Sequence, residues 1–113
     1  MHLKNYSVIT RNGKTELSPA YDLLNSTIVL KGDVEEIALP LKGKKSNLNS
    51  DLLIGYFGRE RCGLTDKVID RNLDDIRGGL SRWFHLIDNS FLSPLMKEKY
   101  RLLLQNRIKV MGW

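Results

Sequence analysis

Apolar residues recur along this chain with two different periods, and the change falls near residue 47. Before that point the pattern is extended. Residues 6–10 are aromatic and β-branched, Arg11-Asn12-Gly13-Lys14 interrupts them, and Thr15-Glu16-Leu17 resumes the run. Asn-Gly between two such runs predicts a β-hairpin, because both residues tolerate the positive φ of a type I′ turn. Ser18-Pro19-Ala20-Tyr21-Asp22 then ends the pattern, with Pro19 pushing Ser18 toward an extended conformation. A second, weaker extended piece is predicted at 37–41, where Pro40 argues for an edge position. Gly43-Lys44-Lys45 reads as a turn.

From residue 47 onward the spacing is helical. Asn49 is placed to cap a short α-helix carrying Leu52, Leu53, Tyr56 and Phe57 and ending near Gly58. Thr65 is placed to cap a longer one. Its apolar residues, Ile69, Leu73, Ile76, Leu80, Trp83 and Ile87, are spaced by four and three and form a single stripe. Gly78-Gly79 lies within that helix, at a cost of about 1 kcal/mol per glycine relative to alanine, and predicts a kink or a close approach. Ser93-Pro94 is a cap followed by proline at the first helical position. The last helix then presents Met96, Tyr100, Leu103, Leu104, Ile108 and Met111. A connection as short as 89–92 predicts that the two long helices pack antiparallel. The expected fold class is therefore α+β and mainly α-helical, an N-terminal β-hairpin followed by helices. Residues 1–113 form one domain, with 1–46 as hairpin and loops and 47–113 as a helical bundle.

Composition narrows the function classes. The chain has 113 residues, 42% hydrophobic and 27% charged, which is one domain's length and too apolar for a disordered segment. No uninterrupted apolar run exceeds three residues, so no membrane span is expected, and the first residues lack the apolar core of a signal peptide. A single cysteine, Cys62, leaves no intramolecular disulfide and no multi-thiolate metal site; with the other features it points to the cytoplasm. The net charge of +5 comes mostly from residues 93–113, where five basic side chains (Lys97, Lys99, Arg101, Arg107 and Lys109) face one acidic one. A solvated helix face accounts for that excess better than direct nucleic-acid binding does, since nothing base-reading accompanies it.

No self-contained catalytic motif is present. The glycines do not form a phosphate loop, His2 and His85 are far apart, and a lone cysteine is most often an inert small residue. What remains is a polar group around the hairpin. His2, Lys4 and Asn5 precede its first strand and Asp22 follows its second. Because a hairpin brings its ends together, Asn5 and Asp22 are expected side by side. One carboxylate and one amide oxygen suit Mg²⁺, which prefers hard oxygen donors. Without other information the same two residues read as turn residues, a common role for Asn and Asp.

The words His2-Leu3-Lys4-Asn5-Tyr6-Ser7 and Leu17-Ser18-Pro19-Ala20-Tyr21-Asp22-Leu23-Leu24 resemble the C-terminal half of the HipA-like serine/threonine kinases, toxins of bacterial toxin–antitoxin pairs. The stretches Leu41-Lys42-Gly43-Lys44-Lys45-Ser46-Asn47-Leu48 and Ile87-Asp88-Asn89-Ser90-Phe91-Leu92-Ser93 are similar to the same family. The resemblance implies part of the C-terminal lobe of a protein-kinase-like fold and part of a Mg²⁺–ATP site. Asn5 and Asp22 match the metal ligands, His2 and Lys4 match loop residues that shape the site and help place the phosphates, and Tyr21 matches a packing aromatic. The family's general base is the aspartate two positions before the loop histidine, which here would precede Met1. No catalytic residue is therefore expected within the chain, nor tight binding of Mg²⁺ or ATP, nor activity from the chain alone. Implied partners are the N-terminal kinase region, another copy of this chain, or an antitoxin-like DNA-binding protein. The rival reading is a helical module that pairs with a partner chain, such as a split kinase lobe or that DNA-binding protein.

Overall fold

The computed structural model describes residues 5–25, 27–29 and 35–113. It divides into two compact units, Met1–Asn47 and Leu48–Trp113. The fold is mainly helical, with an N-terminal two-stranded antiparallel hairpin followed by helices.

In the first unit, β1 (Val8–Arg11) pairs with β2 (Lys14–Leu17) in the register Val8↔Leu17, Ile9↔Glu16, Thr10↔Thr15 and Arg11↔Lys14. Asn12 and Gly13 make the turn at φ 51° and 74°, as a type I′ hairpin requires. Cross-strand hydroxyl contacts extend the ladder: Thr10 and Thr15 meet through their Oγ1 atoms at 3.0 Å, and Ser7 Oγ donates to Ser18 Oγ at 3.0 Å. The Ser18 N–H donates to the Ser7 carbonyl at 2.9 Å, so the strands stay together beyond their last ladder pair. That closure draws together the residue before Ser7 and the segment after Ser18, which are otherwise distant along the chain.

The extended piece predicted at 37–41 is not a strand. Only an isolated bridge between Leu41 and Lys44 forms there, around a turn with Lys42 and Gly43 at φ 47° and 74°. The segment is held instead by the Glu36 N–H donating to the Lys45 carbonyl at 2.7 Å and by the Lys45–Glu35 ion pair at 3.0 Å. Pro40 lacks an N–H, and with the turn starting one residue after it too few ladder positions are left for a strand.

In the second unit, residues 51–61 form a π-helix (Asp51–Arg61) rather than the α-helix predicted to end near Gly58. Asn49 does cap it, its Oδ1 accepting from the Leu52 N–H at 3.0 Å. The wider i→i+5 bonding persists to the end, where the Cys62 N–H reaches the Phe57 carbonyl at 3.0 Å. Gly58 is buried, and a Cβ there would lie 3.7 Å from Ile69, so the glycine admits the neighbouring helix closely. Next comes α1 (Asp66–Asn89), then α2 (Pro94–Met111). They form an antiparallel hairpin: Lys97 and Arg101 near the start of α2 bond the Asp88 carbonyl and carboxylate, while Arg77 of α1 lies 5.2 Å over the ring of Trp113 past the end of α2.

The small core consists of Leu48, Leu52, Ile69 and Ile87, all in the second unit; among the described residues of the first, none is buried. Ile69 and Ile87 belong to the predicted α1 stripe, and the six predicted apolar positions of α2 are all half-buried. Gly79 is buried because Trp83, one turn on in the same helix, folds back over it, with Nε1 3.2 Å from where a Cβ would stand. The predicted close approach therefore comes from within α1. At the start of α2, Ser93 Oγ accepts from the Met96 N–H at 3.4 Å. Ser93→Ala is expected to lower unfolding free energy by about 1 kcal/mol, with Ser93→Asp near wild type, checked by urea denaturation. No helix among the described residues is long and apolar enough to cross a membrane.

Candidate functional site

The hairpin sets the site. Asn5 stands just before β1, and Asp22 stands five residues after β2, beyond the Pro19 break. The ladder from Ser7–Ser18 to the Asn12–Gly13 turn leaves these two at the open end, and the structure brings them into contact. Asn5 Nδ2 donates to Asp22 Oδ2 at 2.6 Å and to the Asp22 carbonyl at 3.4 Å. Asp22 has φ 55°, a left-handed conformation that Asp adopts more readily than most residues because its short polar side chain bonds locally. In that conformation both its carbonyl and its carboxylate lie on the side of Asn5. The carboxylate is exposed and Asn5 is half-buried, so the pair is open to a solute on one side and fixed to the hairpin on the other.

His2 and Lys4 lie outside the described residues. Tyr21, expected to pack, is instead exposed at 43%. The contribution of the Asp22 carbonyl could not be anticipated from composition or spacing; the sole signal was an aspartate, tolerant of positive φ, shortly after a proline.

The donor set fits a hard divalent cation. Asp22 offers a carboxylate and Asn5 a carboxamide, both oxygen donors of the kind Mg²⁺ takes alongside waters and phosphate oxygens. The pair supplies one formal negative charge. Among the described residues there is no group of three or more His, Cys, Asp or Glu side chains placed to hold a metal ion, so an all-protein cage is not built there. The second unit carries a groove of about 410 Å³ lined by Trp83, Leu86, Ile87, Tyr100 and Leu104, among others. Its lining is mostly apolar and suits a packed side chain better than a reaction.

The HipA-like C-terminal domain family matches residues 1–84, which take in the whole hairpin, both Asn5 and Asp22, and most of α1. No curated protein matches the chain. With about three quarters of its length matched, the chain belongs to the HipA-like C-terminal domain family.

Proposed function

We propose that this chain contributes the cation-binding edge of a Mg²⁺–ATP site, in a protein kinase that transfers the γ-phosphoryl group to a protein serine or threonine. The observation that carries this reading is the contact at 2.6 Å between a carboxamide and a carboxylate 17 positions apart, at the open end of a hairpin in a member of this family. Asp22 and Asn5 would hold Mg²⁺ here, and the cation would supply charge neutralisation for the nucleotide phosphates. Asp22 supplies the formal charge that holds the cation, and Asn5 supplies a neutral oxygen that orients it. His2 and Lys4 are assigned to shaping the loop and placing the phosphates.

Phosphoryl transfer rests mainly on positioning and charge stabilisation, which need more than one edge of a site. No residue of this chain is assigned as general base, so transfer from ATP by the chain alone is not expected. One carboxylate and one carboxamide leave most of the cation's shell to water and phosphate. Calorimetric titration of Mg²⁺–ATP into the full chain is therefore expected to give a dissociation constant in the roughly millimolar range. The heat should vanish when EDTA removes the cation. Nucleotide binding that is indifferent to Mg²⁺ would overturn the assignment.

The second unit favours a companion reading, in which the helices pair with another chain. Phe91 stands fully exposed between Ser90 and Leu92, both of which line the apolar groove. Apolar surface of this kind tends to be covered by association. Light scattering at high concentration should show a species larger than a monomer, and a clean monomer would count against self-pairing.

A further inference from the structure

The apolar groove of the helical unit and the side chain beside it are complementary. Ser90 and Leu92 line the groove, while Phe91 between them is fully exposed and leaves it open. At about 410 Å³ the groove exceeds the roughly 150 Å³ that holds a benzene ring, so it admits a phenyl side chain with room for its neighbours. We infer that a second copy of this chain covers the groove in a two-fold pair, each copy's Phe91 seated against Trp83, Leu86, Tyr100 and Leu104 of the other. This rests on the reading that the helices pair with another chain, and it names that chain and the residue that makes the contact.

The patch is built to match itself. In a two-fold interface the same surface serves both partners, so the projecting part and the receiving part must lie on one patch of one chain. Here they are adjacent in sequence: the residues on either side of the projecting ring form part of the receiving wall. Charge points the same way. The groove is lined by uncharged residues, and the charged side chains that flank the loop are engaged within the chain. The Asp88 carboxylate pairs with Arg101, and Lys97 Nζ donates to the Asp88 carbonyl at 2.6 Å. An acidic or basic peptide therefore gains no ion pair inside the groove, and two copies of net charge +5 bring no like charges together within it. The aromatic walls suit the ring, since Phe packs edge-to-face or offset against Trp and Tyr. Leu86 on the groove is itself 64% exposed and gains cover from the same contact. Two Phe91 rings bury roughly 150–250 Å² each, and with the matching walls the interface stays below the roughly 1,200 Å² of a standard one. The pair is therefore weak, with a dissociation constant in the roughly 100 µM range.

The test is sedimentation equilibrium of the full chain from about 10 µM to about 1 mM, beside Phe91→Ala, with wild type expected to pass from monomer to dimer across that range. Phe91→Ala is expected to weaken the dimer by at least about tenfold. Its melting curve in dilute solution should match wild type, because the fully exposed ring contributes little to the fold of its own chain. In a mixture of ¹³C-labelled and unlabelled chains, NMR contacts between the Phe91 ring of one copy and the Leu86 and Leu104 methyls of the other are expected. A dimer that Phe91→Ala forms equally well, without those contacts, would overturn the Phe91 seat and leave pairing through another face of the helices. Species that grow beyond a dimer would overturn the two-fold closure. Wild type that stays monomeric at the highest concentration would overturn self-pairing altogether.

Discussion

Ile87→Ala is expected to lower the unfolding free energy of the helical unit by about 3 kcal/mol, the usual cost of removing buried aliphatic carbons and leaving a cavity. Ile87 is 6% exposed and is one of only four buried apolar side chains among the described residues. A unit of this size is expected to have a total stability of only about 5 kcal/mol, so more than half would be lost and the melting temperature would fall by about 15 °C. The same change at Ile76, which is 40% exposed on the same helix, should cost less than about 1 kcal/mol. Exposed ion pairs such as Arg77–Asp74 contribute little by comparison. Chemical denaturation of both variants decides the matter. If Ile87→Ala and Ile76→Ala proved equally mild, residues 48–113 would not be held by the core described.

Asp22→Asn should reduce the affinity for Mg²⁺–ATP by at least about tenfold while leaving the melting curve unchanged. Asp22 carries the pair's one formal charge, so its neutralisation removes most of the cation's attraction to this edge. Asparagine is the informative replacement because it also tolerates the left-handed conformation at φ 55°. Alanine there would add a backbone penalty of about 1 kcal/mol or more and confuse folding with binding. Asn5→Ala should weaken binding less, since it deletes a neutral ligand and leaves the charge in place. Paired calorimetric titrations of the two variants and wild type check the order. An Asp22→Asn protein that binds as well as wild type would remove Asp22 from the site.

Much of this architecture was legible because short-range chemistry and long-range packing agreed. Asn12-Gly13 fixes the hairpin turn, since only residues tolerant of positive φ fit there, and the ladder register is set by the turn. The α1 stripe and the Ser93-Pro94 start of α2 were readable for the same reason: periodicity and capping point to the same boundaries. The hairpin closure also made the meeting of Asn5 and Asp22 inferable. Two features were not legible. The π-helix at 51–61 shares its apolar spacing at Leu52, Leu53, Tyr56 and Phe57 with an α-helix, and a run this short does not separate the two hydrogen-bond patterns. The 37–41 segment has strand-like residues but no room for a ladder, which local propensity does not register. At the site, the spacing identified the neighbours; which atoms of Asn5 and Asp22 meet depends on a side-chain rotation and a positive φ that no residue pattern specifies.

Locating the cation decides whether Asn5 and Asp22 form its edge of the site. Mn²⁺–ATP added substoichiometrically to the ¹⁵N-labelled chain broadens signals according to their distance from the metal. Broadening is expected to centre on Asn5 and Asp22 and to be lost in Asp22→Asn. Broadening centred instead on the helix acids Asp66, Asp70, Asp74 and Asp75, with Asn5 and Asp22 left sharp, would contradict the assignment.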